Sequence, residues 1–593
     1  MAKELGIPRG AKVALISVFD KTGITDFAKA LIEMGWHILS SGGTAKTLSA
    51  AGLKVIDVAE LVGGAAILGH RVVTLSREIH AGLLARRIDT DIKEMEELGL
   101  PFIDMVCGDF YPLSEAIAKP DASIESVIEL TDIGGPTMVR SAAKGGRIVI
   151  CDPADRQWVI DELKTNGNKL KPESIQKLRA KAEGVVARYC LESARFHSQE
   201  IVDGQIGVKA QDLAYGENSC QNPATLFTLD NDDPLALDKF KVEVGKPSYI
   251  AMADCNGILN ILCVLTEAFR RNFDGVPYIV IAGKHGNPCG AAFDWQDPSV
   301  AILKALKGDK VAIMGGEVIT NFPIDDALGR ALHKPPEGLN IGRERWGLDL
   351  IVAPSFSNAT CELMKAKKRR LLSNPALLSP KLPPDKWQYR PVRGGFLRQA
   401  TYPFVLTRDG CAYKVGPDMD QEHFGNLLIA WAICWNASSN TVALANENQL
   451  IALGCGQQDR IACVRLCLER AARAGHVTKG SLFASDAFFP FAISQEPKDL
   501  DIACIIARDE FKTALELIDL GKSKQALSRL AGLALLIASK DIREGTELLI
   551  DAGCIGGVVT ADGQLFEEVK KLFEETGLSV LFVAPENRGF AKH

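Results

Sequence analysis

The sequence predicts an α/β protein of several domains, on three observations. Apolar, β-branched runs alternate with segments whose apolar residues recur every three to four positions. The chain has 593 residues, too many for one core, and the size prior suggests about three or four domains. Hydrophobic content of 47% and charged content of 24% are those of an ordinary soluble globular protein.

Val13 to Val18 reads as the first strand. The loop Phe19-Asp20-Lys21-Thr22-Gly23 follows, then a helix with Ile24, Phe27, Leu31 and Met34 on its apolar face. Trp36 to Leu39 is the next strand, running into Ser40-Ser41-Gly42-Gly43-Thr44 and a helix ending near Gly52; Lys54 to Val58 continues the sheet. Two successive strand-to-helix turns rich in Ser, Thr and Gly aim backbone N–H groups at one edge, which suits a phosphate. N-capping alone would explain either loop; both at adjacent strand ends favour a ligand. The candidate ligands are Ser17, Lys21, Thr22, Ser41, Gly42, Gly43 and Thr44, with Lys21 and Arg71 as counter-charges.

Further on, Asp109, Tyr111, Asp132 and Lys144 fall at loops and helix ends, where capping and surface charge are the plainer reading. A long amphipathic helix follows, with Ile175, Leu178, Ala182, Val185 and Tyr189 on one side. It fades into the polar stretch Ser198 to Gly207, so the expected domains are 1–198 and 199–593.

In the second domain, Tyr278-Ile-Val-Ile281 reads as a buried strand leading to Lys284-His285, with a turn through Gly286, Asn287, Pro288 and Gly290. An imidazole can take a proton from a nucleophile near neutral pH, and an ammonium beside it steadies developing negative charge. Strand-helix alternation occurs twice, split near Pro375 to Pro391, giving subdomains of about 208–375 and 376–593. Asn440 follows an apolar helix from Leu427 to Trp435, and phenylalanines cluster around Asp486 between Phe483 and Phe491. Such a cluster is either core or a slot for a flat heterocycle.

Several classes are disfavoured. A net charge of −6 gives no basic field for nucleic acid or anionic lipid. The N-terminus has no signal pattern, and the longest apolar runs are too short to span a bilayer. Fifteen cysteines without a Cys-x-x-Cys pair fit a reducing cytoplasm. Gly454-Cys-Gly456 lacks the third glycine of a dinucleotide fingerprint, and there is no Gly-x-x-x-x-Gly-Lys-Ser/Thr loop. Pro288-Cys289 beside His285 hints at a zinc deaminase, yet Asn287 and Ala292 occupy the decisive positions, so no metal is expected.

Six pieces in order resemble one family: Ser17 to Gly23, Ser41 to Lys46, Lys284-His285-x-Asn-Pro-Cys-Gly290, Gly456 to Arg460, Ser485 to Phe491, and Asn587-Arg588-Gly-Phe590. From about residue 11 to the C-terminus the chain resembles the bifunctional purine-biosynthesis enzymes that combine AICAR transformylase and IMP cyclohydrolase. The resemblance implies a methylglyoxal-synthase-like N-terminal domain and a transformylase of two cytidine-deaminase-like subdomains without their zinc. It implies formyl transfer from 10-formyltetrahydrofolate to AICAR, then ring closure to IMP, by a cytoplasmic homodimer with sites between protomers. His285 would be the general base and Lys284 the cation at the oxyanion. Tyr111, Asp132 and Lys144 would serve ring closure, and Tyr215, Gly216, Asn440, Phe488, Arg588 and Phe590 would contact nucleotide and folate.

The chain also departs from the pattern. Where the family has Arg-Val-Lys-Thr-Leu-His-Pro, this chain has Arg71-Val72-Val73-Thr74-Leu75-Ser76-Arg77, so the catalytic lysine is Val73. The family's Asn before Leu-Tyr-Pro is Asp109, and its Arg, His and Asn near the substrate are Ala214, Cys220 and Ala251. Residues of about 492–539 form an insertion, which leaves Asp541 as the displaced acid of the aromatic motif. Ring closure is therefore expected to be weakened. The alternatives are a paralogue acting on a related heterocyclic ribotide and a non-catalytic, nucleotide-binding regulatory relative.

Overall fold

The computed structural model describes residues 5–68, 72–229, 232–334, 346–367, 369–402, 404–486, 545–561 and 566–587. Arg71, Phe488, Arg588, Phe590, Asp541 and the 492–539 insertion lie outside them. The chain divides into two compact units, Met1–Val208 and Lys209–His593.

In the first unit, β1 (Val13–Ser17), β2 (His37–Ser40), β3 (Val55–Asp57), β4 (Met105–Gly108) and β5 (Ile148–Ile150) form one sheet in the order β3-β2-β1-β4-β5. Every pairing in it is parallel. Parallel neighbours need crossover helices, which cover both faces and make the strands almost wholly apolar. The first crossover is the helix Ile24–Glu33, which buries Ile24, Phe27, Ala28 and Leu31 at the expected spacing. Because β1 and β2 are neighbours and parallel, the loops that leave their C-terminal ends lie side by side. The long helix Pro172–His197 buries Leu178, Ala182, Val186 and Tyr189, so Val186 rather than Val185 continues its apolar stripe.

Where the second unit begins, β6 (Val208–Leu213) and β7 (Ala224–Thr228) form a two-stranded sheet. Among the described residues, a twelve-stranded mixed sheet follows. Its first half holds β8 (Lys241–Val244), β9 (Tyr278–Lys284), β10 (Asn287–Asp294), β11 (Glu317–Thr320), β12 (Leu350–Ala353) and β13 (Arg370–Ser373). A two-stranded arm, β14 (Trp387–Val392) with β15 (Gly395–Ala400), precedes the second half. That half holds β16 (Tyr413–Val415), β17 (Val442–Asn446), β18 (Gln449–Gly454), β19 (Leu482–Ser485), β20 (Gly556–Thr560) and β21 (Ser579–Val583).

The strand order is β16-β21-β20-β19-β17-β18-β10-β9-β11-β12-β13-β8, so the halves mirror each other across the β18/β10 seam. Each half has an antiparallel hairpin, three parallel strands and an antiparallel edge strand. The doubled α/β pattern of the sequence is therefore a doubled fold. Each half also carries one central apolar helix, Tyr249–Asn272 and Gln421–Asn436, and these two pack together over the seam in one shared core. Tyr249–Asn272 is long and apolar enough to cross a membrane, but this core position accounts for its composition.

Candidate active sites

The β9–β10 hairpin is joined by two residues, His285 and Gly286, because Lys284 pairs with Asn287. Their φ angles of 52° and 72° are those of a type I′ turn. The turn is tighter than expected: Asn287 and Pro288 already belong to β10, with a bulge between Pro288 and Gly290. A histidine at positive φ is uncommon and costs energy, which draws attention to its side chain. His285 is exposed, while Lys284 is half-buried and its Nζ donates to the Met314 carbonyl at 2.6 Å.

Side chains from the second half meet this turn. Asn287 Nδ2 donates to the His285 carbonyl at 3.3 Å, and Cys455 Sγ lies 3.8 Å from Asn287 Oδ1. Gln457 Nε2 donates to the Cys455 carbonyl at 3.1 Å, and Asn440 Nδ2 donates to the Gln457 carbonyl at 2.8 Å. Asn440 is fixed from behind by Arg460, whose Nη2 reaches Asn440 Oδ1 at 2.6 Å. Arg460 is paired with Asp486, and Asp486 also accepts from Ser439 Oγ at 2.6 Å and Thr441 N at 3.0 Å. The structure thus links Lys284, His285 and Asn440 through one continuous set of contacts across the seam.

Tyr215 and Gly216 stand at the start of the helix Tyr249–Asn272. The Tyr215 carbonyl accepts from Tyr249 N at 2.8 Å, and its hydroxyl accepts from Arg370 Nη2 at 3.3 Å. Gly216 N donates to the Gln221 carbonyl at 2.7 Å, closing the loop; a Cβ at Gly216 would stand 2.7 Å from Gln221 Cβ. On the same helix, Asp254 is buried, and the backbone N–H groups of His285 and Gly286 favour its charged form. The helix therefore runs close to the His285–Gly286 turn. The residue that sequence reasoning missed is Glu317, a buried carboxyl that acts on Asp254. Its only signal was a lone carboxyl opening an otherwise uncharged strand.

In the first unit the two predicted loops do meet. Ser17 Oγ and Ser41 Oγ are 3.5 Å apart, and Thr44 Oγ1 both accepts from Val18 N at 3.1 Å and donates to its carbonyl at 3.0 Å. Gly42 has φ 54° at the start of its helix, and a Cβ at Gly43 would lie 3.9 Å from Lys21 Nζ. Lys21 itself donates to the carbonyls of Val18 and Phe19, and Thr22 N donates to Asp20 Oδ1 at 2.9 Å. The amides of Phe19 and Asp20, however, donate to the Asp109 carboxylate. An incoming phosphate would have to displace that carboxylate from those two donors.

Tyr111 is exposed, with its ring edge-on to Phe19 at 5.4 Å. Asp132, just before the helix Gly134–Lys144, accepts from Gly135 N in its first turn at 2.9 Å. Burial pushes the Asp132 carboxyl above its ordinary range, against the N–H groups of Gly135, Tyr111 and Gly134, and the charge of Asp109 adds to the rise. Lys144 is not brought to this group. It is exposed at the far end of the same eleven-residue helix, roughly 15 Å along the axis at 1.5 Å per residue. His80, half-buried with Nδ1 3.0 Å from Ser141 Oγ, is held toward its neutral form by burial.

The profile described as "AICARFT/IMPCHase bienzyme" matches residues 142–470. The chain belongs to that family. An "MGS-like domain" profile also matches residues 23–137, in the unit with the parallel sheet. The chain is 35% identical to the bifunctional purine biosynthesis protein PurH of Bacillus mycoides over 491 residues, covering 81% of this chain and 90% of that one. The same protein of Bacillus cereus (strain 03BB102) is 35% identical over 493 residues, with the same coverage. A solved structure described as "Crystal structure of ForH" is 33% identical and covers 32% of this chain and 100% of its own, with a TM-score of 0.29, too low to bear on the fold.

Within this family the departures in the first unit have visible physical consequences. Val73, where the resemblance leads one to expect a lysine, packs against the apolar core. Arg77 does not replace it; its side chain is 77% exposed and paired with Glu78 at 3.4 Å. Thr74, next to Val73, lies close to Gly134, where an added Cβ would stand 3.0 Å from Thr74 Oγ1. A longer side chain at 73 therefore starts beside the Asp132 turn. Val73→Lys is expected to raise ring closure of formyl-AICAR about 100-fold, since one well-placed charge is worth roughly that much. The rate is followed by ultraviolet absorbance, and an unchanged rate would remove position 73 from the site.

Proposed function

We propose that the second unit transfers a formyl group from 10-formyltetrahydrofolate to the 5-amine of AICAR, giving formyl-AICAR in purine biosynthesis. The first unit then closes the ring to IMP with loss of water, slowly. The observation that carries this reading is the Lys284–His285 turn, retained on the family framework and tied across the seam to Asn440.

The amine nitrogen attacks the formyl carbon while His285 takes the amine proton. The Lys284 ammonium shelters the oxyanion of the tetrahedral intermediate. The bond from carbon to the folate N10 then breaks, N10 is protonated, and tetrahydrofolate leaves. The chain acts as a cytoplasmic homodimer on a ribotide and a folate.

Purified protein with AICAR and 10-formyltetrahydrofolate is expected to release tetrahydrofolate, read by absorbance. Ala214, Cys220 and Ala251, which stand where the family has polar contacts, motivate one other reading, a related heterocyclic ribotide as substrate. Turnover with such an analogue and none with AICAR would replace the first reading by the second.

A further inference from the structure

Glu317 is the only charged side chain in β11 and is 5% exposed. Its antiparallel partner on β9 is Gly283, and side chains at paired positions share a face. A Cβ at Gly283 would stand 2.5 Å from Ile258 Cγ2, so this face meets the helix Tyr249–Asn272. Asp254, one turn before Ile258 on that helix, is 3% exposed. The missing side chain at Gly283 leaves room for two carboxyl groups to meet beneath the catalytic turn.

Two buried carboxylates in contact cannot both ionise cheaply, so one keeps its proton. Burial first, and then the charge of Asp254, push Glu317 up to about 9. Asp254 is also raised, chiefly by burial, but the N–H groups of Gly286 and His285 favour its charged form. The proton therefore resides on Glu317. Cys255 of the helix, Cys289 of β10 and the exposed Asp349 ahead of β12 also face this carboxyl. The nearby cation Lys284 is held by the Met314 carbonyl. Glu317 Oε2 is buried with no hydrogen-bond partner among the described residues, as in a group retained for its one remaining contact.

We propose that Glu317 is a positioning residue: lying across from Gly283 and beneath the helix that carries Asp254, it donates to Asp254 and so fixes the carboxylate that neighbours the His285–Gly286 turn. The proposal rests on the reading of His285 as the general base. Glu317→Gln keeps a donor toward Asp254, while Glu317→Ala removes it. Hydrogen exchange at the His285 and Gly286 amides is expected to be slow in the wild type and Glu317→Gln, and at least 10-fold faster in Glu317→Ala, as when a buried hydrogen bond is lost.

Infrared difference spectra are expected to show a protonated-carboxyl band at neutral pH that fades above pH 9 and is missing in both variants. Between its ordinary 4.5 and about 9, the folded chain keeps a proton that the unfolded chain releases. Wild-type stability therefore falls relative to Glu317→Gln across that window. For formyl transfer, Glu317→Ala lowers kcat on the order of 10-fold, Glu317→Gln restores it, and only the wild type loses activity above pH 9. Unchanged amide exchange in Glu317→Ala, or a wild type without the carboxyl band, overturns the proposal. If the wild type transfers no formyl group yet shows slow exchange and the band, the functional reading fails and the positioning role stands.

Discussion

His285→Ala is expected to lower kcat for formyl transfer by about 100- to 10,000-fold, the usual contribution of a positioned general base. The AICAR amine is a weak nucleophile and needs its proton removed as the new bond forms. The substitution removes the imidazole from an exposed turn without touching the core, so the unfolding free energy should stay within about 0.5 kcal/mol of the wild type. Lys284→Met should also reduce kcat, by about 100-fold, because the oxyanion loses its cation. The two losses should not add, since both groups act on one transition state. Steady-state kinetics with both variants and the double variant provide the check. Full activity in the double variant would end the assignment.

Arg460→Ala is expected to destabilise the second unit by about 3–5 kcal/mol, the range for breaking a buried ion pair from one side. The Arg460 and Asp486 side chains are 9% and 0% exposed, so the substitution leaves a carboxylate without its cation in the core. The guanidinium also meets Ser485 Oγ at 3.1 Å, the Thr441 carbonyl at 3.3 Å and Asn440 Oδ1 at 2.6 Å. Its loss should therefore weaken substrate binding as well as folding. Denaturant unfolding reads the first effect and the KM for AICAR the second. Replacing both Arg460 and Asp486 with leucine should recover much of the stability and none of the binding, which separates the ion pair from the Asn440 latch.

Much of this architecture was legible in the chain. The apolar periods placed β1, β2 and the helix Ile24–Glu33 to within a residue or two, because parallel strands covered on both faces are continuous apolar runs. The two loops predicted to share an edge do so, since β1 and β2 are parallel neighbours. What the sequence left hidden are contacts between residues far apart in the chain. Asp254 lies on a helix and Glu317 on β11, and only the β9–β11 register together with the packing of that helix on the sheet brings them together. Asp109 could be read as a lost amide, but not as the acceptor for two loop amides. The separation of Asp132 from Lys144 follows from helical rise, since they lie at opposite ends of one helix.

The β17–β18 hairpin is the counterpart of the one that carries His285. Asn446 pairs with Gln449 across a two-residue link, Glu447 and Asn448, with φ angles of 50° and 62°. The backbone has thus kept one tight reversal in duplicate, while only one copy bears an amine and an imidazole. Such a spare tolerates side-chain change freely, provided its residues accept the left-handed region. New chemistry could be installed there without disturbing the original, making the unoccupied twin the natural place to engineer a second activity on this scaffold.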